Sequence, residues 1–158
     1  MSAHGHHAHH GRAERGLGRL ALSATVHCLT GCAIGEVLGM VISTTAGWGN
    51  TASIAISVVL AFVFGYGLTS LPLLRSGLSP RRVAPLAFAS DTASIATMEV
   101  VDNLFLLFLP GALAAELGEP LFWWSLAVAL LIAGVVAFPV NLWLIRRGRG
   151  HAAVHAYQ

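Results

Sequence analysis

The chain has 158 residues, 56% of them hydrophobic and 10% charged, with a formal net charge of +2 and a mean hydropathy of +0.73. That charged fraction is far below the roughly 25% of soluble domains. It excludes an ordinary soluble globule and predicts an all-α, polytopic membrane protein with the lipid bilayer as its main partner. No nucleic-acid partner is expected. All nine basic residues are arginine, in three clusters: Arg12, Arg15 and Arg19; Arg75, Arg81 and Arg82; Arg146, Arg147 and Arg149. Two apolar hairpins lie between the clusters, and their opposite turns, 45–50 and 116–120, hold no arginine. The positive-inside rule then predicts four transmembrane helices in a bacterial inner membrane, with both termini and the 75–82 loop cytoplasmic.

In chain order, residues 1–16 read as a disordered cytoplasmic tail rich in histidine (His4, His6, His7, His9 and His10), a composition that either captures metal or is simply solvated. Residues 17–147 form the four-span membrane domain and 148–158 a second cytoplasmic tail. Span one, 20–44, carries His27, Cys28, Cys32 and Glu36. Ionisable groups at bilayer depth cost at least a few kcal/mol each and mark ion or substrate paths. Cys28, Cys32 and Glu36 recur every four residues and share one side of a helix. Gly31, Gly35 and Gly39 form a stripe beside them that admits another helix closely. The sequence LTGC at 29–32 also matches a lipoprotein cleavage site, but the apolar run continues past Cys32. Two cysteines four apart in one span do not form a disulfide framework.

Span two, 51–74, reads as a packing helix. Span three, 83–109, carries Asp91, Ser94, Met98, Glu99, Asp102 and Asn103. Three carboxylates in one span would be prohibitive against lipid. Span four, 121–145, has Phe122, Trp123 and Trp124 at one end and Trp143 at the other, as an interfacial aromatic belt. Pro139 and Asn141 near its inner end could open a carbonyl in the helix ladder. The tail holds His151.

Spans one and three run in the same direction. Cys28 follows Arg19 by nine residues as Asp91 follows Arg82, and Glu36 and Glu99 each follow by seventeen. At ~1.5 Å per residue the first pair lies about 13 Å in and the second about 25 Å in. The chain reads as two parallel hairpins related by an axis along the membrane normal. The two polar faces make layers: His27, Cys28 and Asp91; then Cys32; then Glu36, Met98 and Glu99; then Asp102. Thiolate, thioether and imidazole select copper(I) or zinc, whereas carboxylates alone suit harder ions.

The motifs HC-x-x-GC-x-x-GE, D-x-x-S-I-x-x-M-E-x-x-D-N, P-x-N and a final GH resemble those of a small bacterial four-helix membrane family catalogued only as a domain of unknown function. The resemblance covers nearly all the chain after Gly16. It implies that His27, Cys28, Cys32, Glu36, Asp91, Ser94, Met98, Glu99, Asp102, Asn103, Pro139, Asn141 and His151 act as one unit, and it carries no activity with it.

Three functions remain open on the residues. The first is a homo-oligomeric protein that binds or conducts a transition-metal cation, copper before zinc, with His27, Cys28, Cys32, Glu36, Asp91, Met98, Glu99 and Asp102 as ligands. Ser94, Asn103, Asn141 and His151 would support them. The second is a proton- or cation-coupled transporter whose acids titrate while the cysteines pack. The third is a four-helix thiol redox enzyme. With no P-loop, Rossmann glycine pattern or H-E-x-x-H, no organic cofactor is expected, and transport or binding ranks above catalysis.

Overall fold

The computed structural model describes residues 6–75 and 77–147, with side chains described for 16–75, 77–85, 87–89 and 91–147. The histidine tract, Arg149 and His151 therefore lie outside the described side chains. Four long helices account for the fold: α1 (His6–Ala46), α2 (Asn50–Arg75), α3 (Pro80–Phe108) and α4 (Pro120–Arg146), with one 3-10 turn at Ala112–Ala114. Among the described residues there is no strand.

The helix ends are set by local chemistry. Gly47 ends α1 with φ 67° and Gly77 follows α2 with φ 89°. At the first, Trp48 N–H donates to Ser43 O (2.9 Å) and Gly47 N–H to Thr44 O (3.2 Å). This is a left-handed helix cap that only glycine adopts cheaply. α3 and α4 each begin on a proline, Pro80 and Pro120, whose missing N–H costs nothing in the first turn.

The connections are short, so successive helices run antiparallel. α1 packs on α2 and α4, and α3 packs on the same two helices. α1 and α3 therefore stand diagonally across a four-helix bundle and point the same way. The closest seam is α1 on α2. A Cβ on Gly31 would lie 2.8 Å from Gly65 Cα, one on Gly35 2.6 Å from Ala61 Cα, and one on Gly39 2.7 Å from Ser57 Cα. Backbone meets backbone over two turns.

The bundle buries polar side chains among its apolar core and exposes large apolar ones. Asp91, Ser94, Asp102, Ser125 and Asn141 are buried, while Val59, Val63, Phe88, Val100, Leu107, Phe108, Leu131 and Val135 are all more than half exposed. Water would penalise that arrangement and lipid tails favour it. α2, α4 and the Gly16–Ala46 part of α1 are long and apolar enough to cross a bilayer. α3, interrupted by Asp91, Glu99 and Asp102, does not meet that measure. One sequence expectation is corrected here. Phe122 is not an interfacial belt residue; it is 7% exposed and packs with Ala115 and Leu126. Trp123 and Trp124 are about half exposed, and Trp123 Nε1 donates to Leu117 O at 2.9 Å.

Gly35→Leu should force α1 from α2 and destabilise the bundle by about 1–3 kcal/mol, the usual range for overpacking. Gly67→Ala, which meets nothing within 4 Å, should be neutral or slightly stabilising. Thermal unfolding of both variants in detergent, followed by size-exclusion fluorescence, checks the contrast.

Candidate functional site

The inward faces of α1 and α3 meet along the bundle axis, and the site is best built from the Arg19 end upward. Thr25 Oγ1 donates to Ala21 O at 2.9 Å, so its one proton is spent on its own helix. It can then only accept from Asn141, which fixes the atom facing it as Nδ2, at 2.9 Å. The same Nδ2 donates to Ser94 Oγ at 3.0 Å. Asn141 therefore ties α4 to both α1 and α3. The sequence suggested instead that Asn141, with Pro139, opens a carbonyl in the helix ladder; the structure uses it as a donor between side chains. Ser94, having accepted from Asn141, keeps its own proton for a neighbour, and Cys28 lies within reach of Ser94 and Asp91.

One turn further on, Cys32 faces Glu99, with Cys28 and Glu36 also near it. Both thiols are free and buried. Their surroundings are otherwise dry: Ile95, Met98, Ala61, Ala133 and Ala137 form one buried cluster with them. Small alanines on α2 and α4 let the two polar faces approach across the diagonal. His27 is half-buried on α1 beside this layer.

Above the thiols three acids gather. Glu36 neighbours Asp102 and Glu99, and Asp102 also neighbours Glu99. Glu36, Glu99 and Asp102 are 8%, 4% and 1% exposed. Both carboxylate oxygens of Glu99 and of Asp102 are buried with no hydrogen-bond partner among the described residues. Cys32 faces Glu99 and Glu36 faces Asp102, but neither pair meets hydrogen-bond geometry. Asn103 Nδ2 donates to the Glu99 backbone oxygen at 2.9 Å, not to its carboxylate. The arginines among the described side chains, Arg19, Arg75, Arg81, Arg82, Arg146 and Arg147, are all exposed. Two like charges ~5 Å apart repel by about 3 kcal/mol at an effective dielectric near 20. The trio is stable only with protons or cations among its oxygens.

Glu36, alone of the three acids, lines a cavity of about 60 Å³ that also reaches the exposed Asn50 at the start of α2. Its wall includes Glu36, Ser53, Ser57, Asn103 and Ser125. Thr25, Ser53, Ser57 and Ser125 were not singled out in the sequence; the four-residue spacing of Ser53 and Ser57 places them on one side of α2 but does not by itself mark a site. No three His, Cys, Asp or Glu side chains among the described residues converge as a ready-made metal centre. The acids and thiols are stacked along the axis rather than gathered round a point.

These features define an all-helical membrane protein whose acids and thiols are turned into the bundle. The chain belongs to the family described as Domain of unknown function (DUF4396), which matches residues 19–150. The match starts at Arg19 and so takes in the whole polar column while leaving out the histidine tract. No curated protein and no solved structure is significantly similar to the chain.

If Cys32 faces Glu99 as described, then Glu99→Cys in a Cys28→Ser background should cross-link to Cys32 under mild oxidation. The same treatment of Val100→Cys, which is 59% exposed on the outer face, should leave the thiols separate. Mass spectrometry of the intact protein reads both.

Proposed function

We propose that the protein spans a bacterial inner membrane four times, with α3 as the third span, and conducts or binds a transition-metal cation, copper(I) before zinc, along its interior. The observation that carries this reading is the meeting of α1 thiols and acid with α3 acids in the core, while every described arginine is exposed. An interior with surplus negative charge attracts cations and repels anions. The ligands change along the axis from carboxylate oxygen at Glu36 and Asp102 to sulfur at Cys32 and Cys28. A soft ion gains affinity in that direction and a hard ion loses it. Ligands spread over successive layers suit passage, because each holds the ion loosely enough to release it.

The third span is supported by the outward side of α3. Phe88, Val100, Leu104, Leu107 and Phe108 are exposed there, so its acids need not meet lipid. Cytoplasmic termini rest on the placement of arginine. Reporter fusions at Gln158 and after Arg75 should read cytoplasm and fusions at Trp48 and Gly118 the opposite side; a fusion at Gly118 on the same side as one after Arg75 would remove α3 from the membrane.

A second reading, a proton relay through the acids with the cysteines as packing, is favoured by the lack of three convergent ligands among the described residues. The two readings separate cleanly. In proteoliposomes, Cys28→Ser/Cys32→Ser should lower copper(I) content and flux at least about tenfold if sulfur ligation is the function, since a hydroxyl is a hard replacement of similar size. Glu99→Gln should lower flux with little change in assembly. Under the relay reading the cysteine pair is silent and Glu99→Gln alone abolishes transport. Equal copper content and equal flux in wild type and the cysteine double variant would overturn the proposal.

A further inference from the structure

The cavity at the Asn50 end shares Glu36 with the polar column and is otherwise walled by groups that the thiols do not meet. Ser53 and Ser57 stand one turn apart on α2 and line it with Glu36 of α1, Asn103 of α3 and Ser125 of α4. Helical hydroxyls normally donate to a carbonyl of the preceding turn, and here Thr25, Thr30 and Thr97 do so at 2.9, 2.8 and 2.7 Å. Ser53 and Ser57 make no such bond, nor any other among the described residues. Gly39, opposite Ser57, has no side chain to cover that hydroxyl. Asn103 spends its Nδ2 on Glu99 O, which leaves its Oδ1 as an acceptor. Ser125 spends its proton on Phe122 O at 3.1 Å, which leaves its lone pairs. Glu36 is more than nine-tenths buried, lines the cavity, and accepts no hydrogen bond among the described residues.

We propose that this cavity is a binding site for a hard divalent metal cation, separate from the thiol layer. Apart from the Asn50 amide nitrogen at the exposed end, the uncommitted polar groups on its wall are oxygens, the donors that magnesium, calcium and manganese take; the sulfur on the wall is Met40. Glu36 and the neighbouring Asp102 supply two negative charges, which match a divalent ion and leave the buried pair neutral. The volume of about 60 Å³ has room for roughly four water-sized groups at ~15 Å³ each. A divalent ion with part of its hydration shell therefore fits, and magnesium keeps several waters in such sites. Leu106, Phe122 and Leu126 make part of the wall apolar, which lowers the local dielectric and strengthens each ion–oxygen contact. The site stands on the cavity alone, whether or not a soft metal uses the cysteines.

The test uses the full chain in nanodiscs and Mn²⁺ as a probe read by electron paramagnetic resonance, with Mg²⁺ and Ca²⁺ as competitors. Wild type should bind Mn²⁺ saturably and release it to either competitor. Ser53→Ala/Ser57→Ala, which removes two hydroxyls without adding bulk, should weaken Mn²⁺ at least about fivefold, and Glu36→Gln at least about tenfold, within the span that ligand-shell changes produce. Cys28→Ser/Cys32→Ser should leave Mn²⁺ affinity within about twofold while changing copper(I) binding, so the two sites fail independently. Absence of saturable Mn²⁺ binding by wild type, equal affinity in wild type and the serine double variant, or loss of Mn²⁺ in the cysteine double variant would each overturn the proposal.

Discussion

Three carboxylates from two helices share one part of a bundle core that no arginine reaches among the described side chains. Everything else in the structure bends around that constraint. An unpaired buried charge costs several kcal/mol even after the protein relaxes, so the acids must be shielded from lipid, kept near a source of positive charge, and held apart by rigid neighbours. The bundle meets the first need by turning Asp91, Glu99 and Asp102 of α3 toward α1 across the diagonal. The cavity at Glu36 meets the second, because it joins that acid, a neighbour of the other two, to the exposed end of α2. Small residues meet the third.

The small residues act at two places. Gly31, Gly35 and Gly39 bring α1 onto the backbone of α2 at Gly65, Ala61 and Ser57. That contact fixes the rotation of α1, and with it the direction in which Cys28, Cys32 and Glu36 point. Ala61, Ala133 and Ala137 then leave the centre of the bundle narrow enough for α1 and α3 to touch there. At the far end Asn141 supplies the polar counterpart of this packing. Its two bonds, to Thr25 and Ser94, join three helices at the level of Cys28, and the direction of each follows from where Thr25 spends its proton.

Much of this was legible in the sequence. Arginine clusters and turn composition locate the hairpins, and α2, α3 and α4 differ from the expected spans by few residues, whereas α1 begins at His6 instead of near residue 20. Equal distances from Arg19 and Arg82 put Cys28 level with Asp91, and these two do face each other. Periodicity shows which residues share a side of one helix; it does not show how neighbouring helices rotate. Phe122 was therefore placed with the tryptophans although it turns inward, and the partner of Asn141 could not be read. Ser53 and Ser57 were passed over for another reason. A hydroxyl in a membrane helix can satisfy itself on its own backbone, so its presence alone carries little information, and only the bonds that these two do not make single them out.

The central claim is that the buried carboxyl groups of Glu36, Glu99 and Asp102 exchange protons for cations. Infrared difference spectroscopy of the protein in lipid, on adding copper(I) or Mn²⁺, measures this directly. The account expects loss of a protonated carboxyl band and gain of a carboxylate band, both diminished by Glu99→Gln and Asp102→Asn. Carboxyl bands that do not respond to either cation in the wild type would contradict it.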